Sequence, residues 1–224
     1  MKPRHTLAEA RLPDGNLLTL QEHDGRKALL IHGQQICGPA TRAAEEELAR
    51  LACAPFRPAR QPKLYFVGLG LGHALAAATA ELKQKRGVFH VAEPMAELPE
   101  WHRQFLPDSP LNDPRVEVGR ECNAGALARM PDSLHAILLH LDASPMGPRN
   151  RPLVDDRKWL AAAYESLQAG GLLAIAGSRP NARLYQTLQR AGFEVAEYQV
   201  PASPNAKRSR LMPIWLARKG RYSE

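Results

Sequence analysis

The sequence predicts an α/β fold: a mostly parallel sheet with an antiparallel last strand and helices on both faces, preceded by a small N-terminal β-hairpin module. Three observations carry this expectation. The first is Leu64-Tyr65-Phe66-Val67-Gly68-Leu69-Gly70-Leu71-Gly72-His73-Ala74-Leu75, an apolar run of strand formers that ends in three alternate glycines and passes straight into an alanine-rich helical pattern. The second is Val88-Phe89-His90-Val91-Ala92-Glu93, a strand pattern that ends in a carboxylate. The third is the regular alternation of strand and helix patterns from residue 64 to residue 218, which argues for parallel strands joined by helical crossovers.

Taken in order, residues 16–36 read as a small meander. Segments 16–22 and 27–32 flank Asp24-Gly25, a strong hairpin signal, and Gly33-Gln34-Gln35-Ile36 adds a second turn and a short third strand. Thr41 stands at the start of a helix running to about Cys53, with Ala44, Leu48, Leu51 and Ala52 on one face. Pro55, Pro58 and Pro62, interspersed with basic residues, form a linker. The chain therefore divides into a module with its linker helix, 1–60, and a main domain, 61–224. Strands are expected at 64–68, 87–92, 115–118, 134–141, 171–176, 193–199 and 211–218, and helices at 72–85, 95–104, 123–130, 155–168 and 181–191. Leu167-Gln168-Ala169-Gly170-Gly171-Leu172 reads as a helix stopped by Gly-Gly before a strand. The last two strands are joined by a loop too short for a crossover helix, so they should pair antiparallel.

The glycines allow a sharp turn and close approach of a ligand to the backbone, and the following helix N-terminus offers free N–H groups. The acid at Glu93 suits a ribose diol, because a carboxylate accepts from both hydroxyls. The spacing G-x-G-x-G followed by His73 differs from the dinucleotide G-x-G-x-x-G, which leaves nicotinamide binding as the lesser alternative. In sum, these features resemble the Rossmann-like sheet of class I S-adenosylmethionine-dependent methyltransferases. With the hairpin module in front, the chain looks like the spermidine synthase (polyamine aminopropyltransferase) family. Supporting stretches are Val91-Ala92-Glu93-Pro94, Trp101-His102-Arg103-Gln104-Phe105-Leu106-Pro107, Asp113-Pro114-Arg115-Val116-Glu117-Val118 and the segment from His135 to Pro148.

That resemblance implies a transferase that uses S-adenosylmethionine or decarboxylated S-adenosylmethionine. Gly68, Gly70 and Gly72 would cradle the methionine and ribose portion and Glu93 the ribose hydroxyls. Glu121 or Cys122, after the third strand, would read the adenine edge, although an exposed loop acid is an equal reading of Glu121. Asp142, at the end of the fourth strand, would be the catalytic base or orienter, or else a cap for the loop behind it. His140 lies on the same strand face two residues earlier and, with Glu47, would contact the acceptor; a buried core histidine is the plainer reading. Several family features are absent. The acid of the glycine loop is replaced by Leu71, Ala43-Ala44-Glu45-Glu46-Glu47 keeps only Glu47 of a Tyr-His-Glu stretch, and Leu141-Asp142-Ala143-Ser144-Pro145 lacks at least one of two acids. A site that holds two cations close together needs such carboxylates. Methyl transfer to a small-molecule acceptor, an amine or another nucleophile, is therefore expected ahead of aminopropyl transfer. A diverged aminopropyltransferase, a non-catalytic scaffold and an RNA methyltransferase are the alternatives.

Composition sets outer bounds. The chain has 224 residues, 44% hydrophobic and 24% charged, which suffices for one large domain with a substantial core. A net charge of +7 allows an anionic partner such as RNA. Arg149, Arg151, Arg157 and Lys158, with Lys207, Arg208 and Arg210, form a possible basic rim. The three cysteines, Cys37, Cys53 and Cys122, show no metal-ligand spacing and fit a reduced compartment. No apolar run reaches membrane-spanning length. The expectation is a cytoplasmic protein, without membrane partners, that could form a homodimer.

Overall fold

The computed structural model describes residues 3–12, 14–143, 145–147, 151–202 and 210–220. Four strands, β1 (His5–Arg11), β2 (Leu17–His23), β3 (Arg26–Ile31) and β4 (Gln34–Cys37), form an antiparallel sheet in the order β1-β2-β3-β4. The meander expected over 16–36 is present, with an additional strand in front of it. Strand β1, His-Thr-Leu-Ala-Glu-Ala-Arg, carries little β-propensity of its own; it is an edge strand held by its ladder to β2, with an irregularity between Thr6 and Ala8.

Helix α1 (Arg42–Cys53) leads into β5 (Lys63–Val67), α2 (His73–Glu81), β6 (Val88–Ala92), α3 (Glu97–Phe105), β7 (Val116–Gly119), α4 (Ala124–Ala128) and β8 (Leu134–His140). A two-residue hairpin, β9 (Met146–Gly147) and β10 (Arg151–Pro152), precedes α5 (Arg157–Ser166), β11 (Leu167–Ala176), α6 (Ala182–Arg190), β12 (Glu194–Pro201) and β13 (Leu211–Arg218). The main sheet has seven strands in the order β12-β13-β11-β8-β5-β6-β7. Strands β5 to β8 and β11 run parallel, whereas β13 lies antiparallel between β11 and β12, as expected.

Strand periodicity fixes the layers. On β5, Leu64 and Phe66 face one core while Tyr65 and Val67 face the other; Ala136 and Leu138 are opposed in the same way to Ile137 and Leu139 on β8. The first core also takes in Leu18, Leu20 and Leu29 of the N-terminal sheet and Leu48 of α1, so the hairpin module and the main sheet share one apolar cluster. The second core is covered by α4, α5 and α6 through Leu127, Trp159, Leu160, Leu184 and Leu188.

Helices α2 and α5 end earlier than expected: α2 stops at Glu81 instead of about residue 85, and α5 stops short of the Gly-Gly pair. Helix α5 ends at Ser166, and Leu167 already pairs with Leu134. Gly170 (φ +77°) and Gly171 form a break in the β11–β8 register rather than a helix stop. Of the basic rim, Arg149, Lys207 and Arg208 lie outside the described residues; Arg151, Arg157, Lys158 and Arg210 are exposed, and Arg210 donates to the Ser178 carbonyl. Among the described residues, no helix is long and apolar enough to cross a membrane.

Candidate functional site

The C-terminal ends of β5, β6 and β8 meet at the point where strand order reverses, the position at which open α/β sheets bind ligands. The turn after β5 places Gly68, Gly70 and Gly72 at φ +87°, +52° and +76°, a backbone region that side chains with Cβ rarely enter. A Cβ on Gly72 would also stand 2.6 Å from Pro110 Cγ and 3.1 Å from His102 Cε1. His102, fully buried, braces this turn: Nε2 donates to the Gly70 carbonyl at 2.9 Å, and Nδ1 is 2.8 Å from Ser109 Oγ. A carbonyl can only accept, so the proton sits on Nε2 and Ser109 donates to Nδ1. Burial holds His102 below the ordinary imidazole pKa, consistent with this neutral form. Sequence reading treated His102 as part of a motif and missed its bracing role.

Glu93 follows β6 and is 3% exposed. Its Oε2 accepts from the Leu69 N–H at 2.9 Å and its Oε1 from the Met95 N–H at 3.0 Å. Burial raises its pKa, against the lowering effect of these two donors. A carboxylate has about four lone-pair sites, so each oxygen retains capacity for a ligand hydroxyl. Glu93 is thus tied to the glycine turn and still able to accept.

Glu93 and Gly70 line a cavity of about 680 Å³ between the sheet ends and the N-terminal sheet. Leu12, Leu18, Leu29, Ile31 and Ile36 form its wall on the module side, and Met95, Leu98 and Met146 extend the apolar lining. Cys122 reaches this cavity because its loop is pinned: Trp159 Nε1 donates to the Cys122 carbonyl at 2.9 Å and the Tyr65 hydroxyl to the Glu121 carbonyl at 2.8 Å. The Glu121 side chain does not share it; it is exposed, pairs with Arg129 and lines a separate shallow depression. Asp142 also lines the cavity, and each of its oxygens accepts one bond from Ser178, whose N–H donates at 2.8 Å and whose hydroxyl donates at 3.0 Å.

A second, smaller hollow of about 40 Å³ also includes Gly70 in its lining, together with Cys37, Glu45 and His140. Glu47, the acid singled out from sequence, is not among its residues; it sits on the outer side of α1 in a bidentate pair with Arg50 at 2.6 and 2.7 Å. Glu45 is the inward acid, 5% exposed, and accepts from the Thr41 hydroxyl at 2.6 Å and from the Cys37 thiol at 3.4 Å. Thr41 therefore supports Glu45 instead of capping the helix with its side chain. Burial acts to raise the Glu45 pKa, but the His73 and His140 imidazoles and the Thr41 hydroxyl outweigh it and hold the carboxyl below its ordinary value. Helical spacing was the available signal: Glu45 precedes Leu48 by three positions and Ala52 by seven, on the buried stripe. His140 is 7% exposed, with Nδ1 3.9 Å from Asp142 Oδ2.

No protein-family model matches the sequence, and no curated protein matches it. Solved structures do. Spermidine synthase from Thermotoga maritima superposes with a TM-score of 0.74 at 16% identity, over 96% of this chain and 73% of that one. A spermidine synthase in complex with the transition state analogue AdoDATO gives 0.73 at 16% identity, over 96% and 72%. Precorrin-6y C5,15-methyltransferase from Geobacter metallireducens gives 0.56 at 15% identity, over 80% and 87%. The chain has a spermidine-synthase-like form of the class I methyltransferase fold, hairpin module included.

Proposed function

We propose that the chain binds an S-adenosyl nucleoside in the 680 Å³ cavity and transfers its methyl group to a small, largely apolar acceptor. The carrying observation is Glu93: a carboxylate 3% exposed, fastened by two backbone donors beside three left-handed glycines. The residues present fit the nucleoside. Glu93 has lone pairs left for a diol, Cys122 stands at the same wall, and the volume lies within the range of about 300–1,000 Å³ usual for small-ligand sites. When bound, the nucleoside supplies a methyl carbon activated by a positively charged sulfur. The chain contributes position: Glu93 anchors the ribose, the Gly70 backbone admits close approach, and the apolar module wall holds the acceptor and excludes water. Asp142, at the sheet end of the cavity, is the acid assigned to orient an acceptor or take its proton, by exchanging a Ser178 contact for it.

The lining favours methyl over aminopropyl transfer. Two cationic partners need carboxylates around them, yet Glu93 is assigned to the diol, Asp142 accepts from Ser178 and Asp14 from Asn16, and the rest of the module wall is leucine and isoleucine. The test is parallel calorimetric titration with S-adenosylmethionine, S-adenosylhomocysteine and the decarboxylated form. Binding of the first two ahead of the third supports methyl transfer. A preference for the decarboxylated form would establish the aminopropyl alternative instead.

A further inference from the structure

We propose that Cys37, Glu45, His73 and His140 form a site for one divalent transition-metal ion of the zinc class. Four separate elements deliver these side chains: the end of β4, the first turn of α1, the first residue of α2 and the end of β8. Cys37 Sγ lies 3.4 Å from Glu45 Oε1, and His73 Nδ1 lies 3.6 Å from Glu45 Oε2. The ligand atoms of Cys37, Glu45 and His73 all fall within 4.8 Å of one another. Bond lengths of about 2.0–2.3 Å to a tetrahedral ion put neighbouring ligand atoms about 3.3–3.6 Å apart, so Cys37, Glu45 and His73 need little movement to close on a metal, with His140 as the fourth ligand from the wall of the hollow.

A second observation points the same way. Among the described residues, neither ring nitrogen of His140 has a hydrogen-bond partner, nor has His73 Nδ1. His140 is 7% exposed and borders the same 40 Å³ hollow as Cys37 and Glu45, which is room for a single ion or water. Buried imidazole nitrogens are normally satisfied; a metal would satisfy one on each ring.

The surroundings resemble the outer contacts that steady metal ligands. The Leu71 N–H donates to Cys37 Sγ at 3.3 Å, and the Thr41 hydroxyl donates to Glu45 Oε1 at 2.6 Å while accepting from the Gly38 N–H at 3.1 Å. Without metal the thiol donates its proton in a hydrogen bond to Glu45. On binding, that proton leaves to solvent, and thiolate plus carboxylate balance the two positive charges, with both histidines neutral. A mixed sulfur, nitrogen and oxygen set selects zinc-class ions over magnesium or calcium. His73, with 19% of its side chain exposed, marks the side from which an ion enters. The ion would fasten the N-terminal module to the glycine turn, since Gly68, Leu69 and Gly70 line the same hollow.

Chelator-stripped, folded protein titrated with cobalt(II) tests this. We expect one equivalent bound, a thiolate-to-cobalt charge-transfer band in the near ultraviolet, intense visible bands of tetrahedral type, and displacement by one equivalent of zinc. Cys37→Ser should remove the charge-transfer band and His140→Gln should lower affinity at least about tenfold, whereas Cys53→Ser and Cys122→Ser leave the spectrum unchanged. Absence of the charge-transfer band in folded wild-type protein, or its persistence in Cys37→Ser, would overturn the proposal. The wild-type spectrum decides the matter even if a variant does not fold.

Discussion

The two cavities that share Gly70 treat their buried charge differently. In the larger one, Glu93 has each oxygen fixed by a backbone N–H, and the remaining wall is mainly leucine, isoleucine and methionine. In the smaller one, a carboxylate, a thiol and the His140 imidazole line a 40 Å³ hollow with His73 beside Glu45, and ring nitrogens of both histidines lack hydrogen-bond partners. The first arrangement is complete in itself and has room for a nucleoside and an acceptor. The second is incomplete and has room for one ion. A polar group that is already satisfied can wait for a ligand at little cost, whereas unsatisfied buried groups destabilise the fold until something meets them.

Breaking one cavity should leave the other intact, and the largest effect belongs to Glu93. Glu93→Ala removes acceptors for two hydroxyls; hydrogen bonds to a charged group contribute about 1.5–3 kcal/mol each, so nucleoside affinity should fall about 100-fold or more by calorimetry. Glu45→Gln, by contrast, should leave that affinity within about threefold, because Glu45 borders the small hollow and not the large cavity.

Next comes the turn between them. Gly72→Ala places a methyl 2.6 Å from Pro110 in a left-handed backbone. Strain and overpacking of this kind cost about 2–4 kcal/mol, and at about 2–4 °C per kcal/mol for a chain of this size the melting midpoint should drop by several degrees or more. His102 gives a smaller effect that depends on pH. Its folded pKa lies below the ordinary value, so the unfolded chain takes up the proton first as pH falls. The stability it supports is full above about pH 6.5, the ordinary imidazole pKa, and is lost as pH falls from there through the folded pKa. His102→Gln, which can still donate to Gly70, should flatten that decline in denaturant titrations run from pH 7.5 to 5. Smallest is Glu121→Gln. An exposed ion pair contributes about 0–1 kcal/mol, so stability should scarcely move and nucleoside affinity should stay at the wild-type value.

The large cavity was legible in sequence because its parts are local. Strand, glycine turn and helix follow one another from Lys63 to Glu81, and Glu93 ends the next strand, so period and spacing alone pointed to them. The direction of the main strands was legible from their alternation with helices and from the short loop before the last one. Strand β1 was not, because Thr6, Ala8 and Ala10 become a strand only through β2. Gly170-Gly171 signalled a stop but marks a break within β11, since the antiparallel partner β13 holds the chain extended on either side. The small hollow was the least legible. Cys37 stands alone in sequence and comes near Glu45, His73 and His140 only after four elements, β4, α1, α2 and β8, pack. Among three successive glutamates, the choice of Glu45 over Glu47 rests on which face of α1 turns to Leu48 and Ala52.

Calorimetric titration of S-adenosylhomocysteine into wild-type and Glu93→Ala protein, side by side, tests the central claim most directly. The account predicts saturable one-to-one binding by wild type and its loss, by about 100-fold or more, in a variant that remains folded. Equal affinity in the two proteins, or no binding by folded wild type, would contradict it.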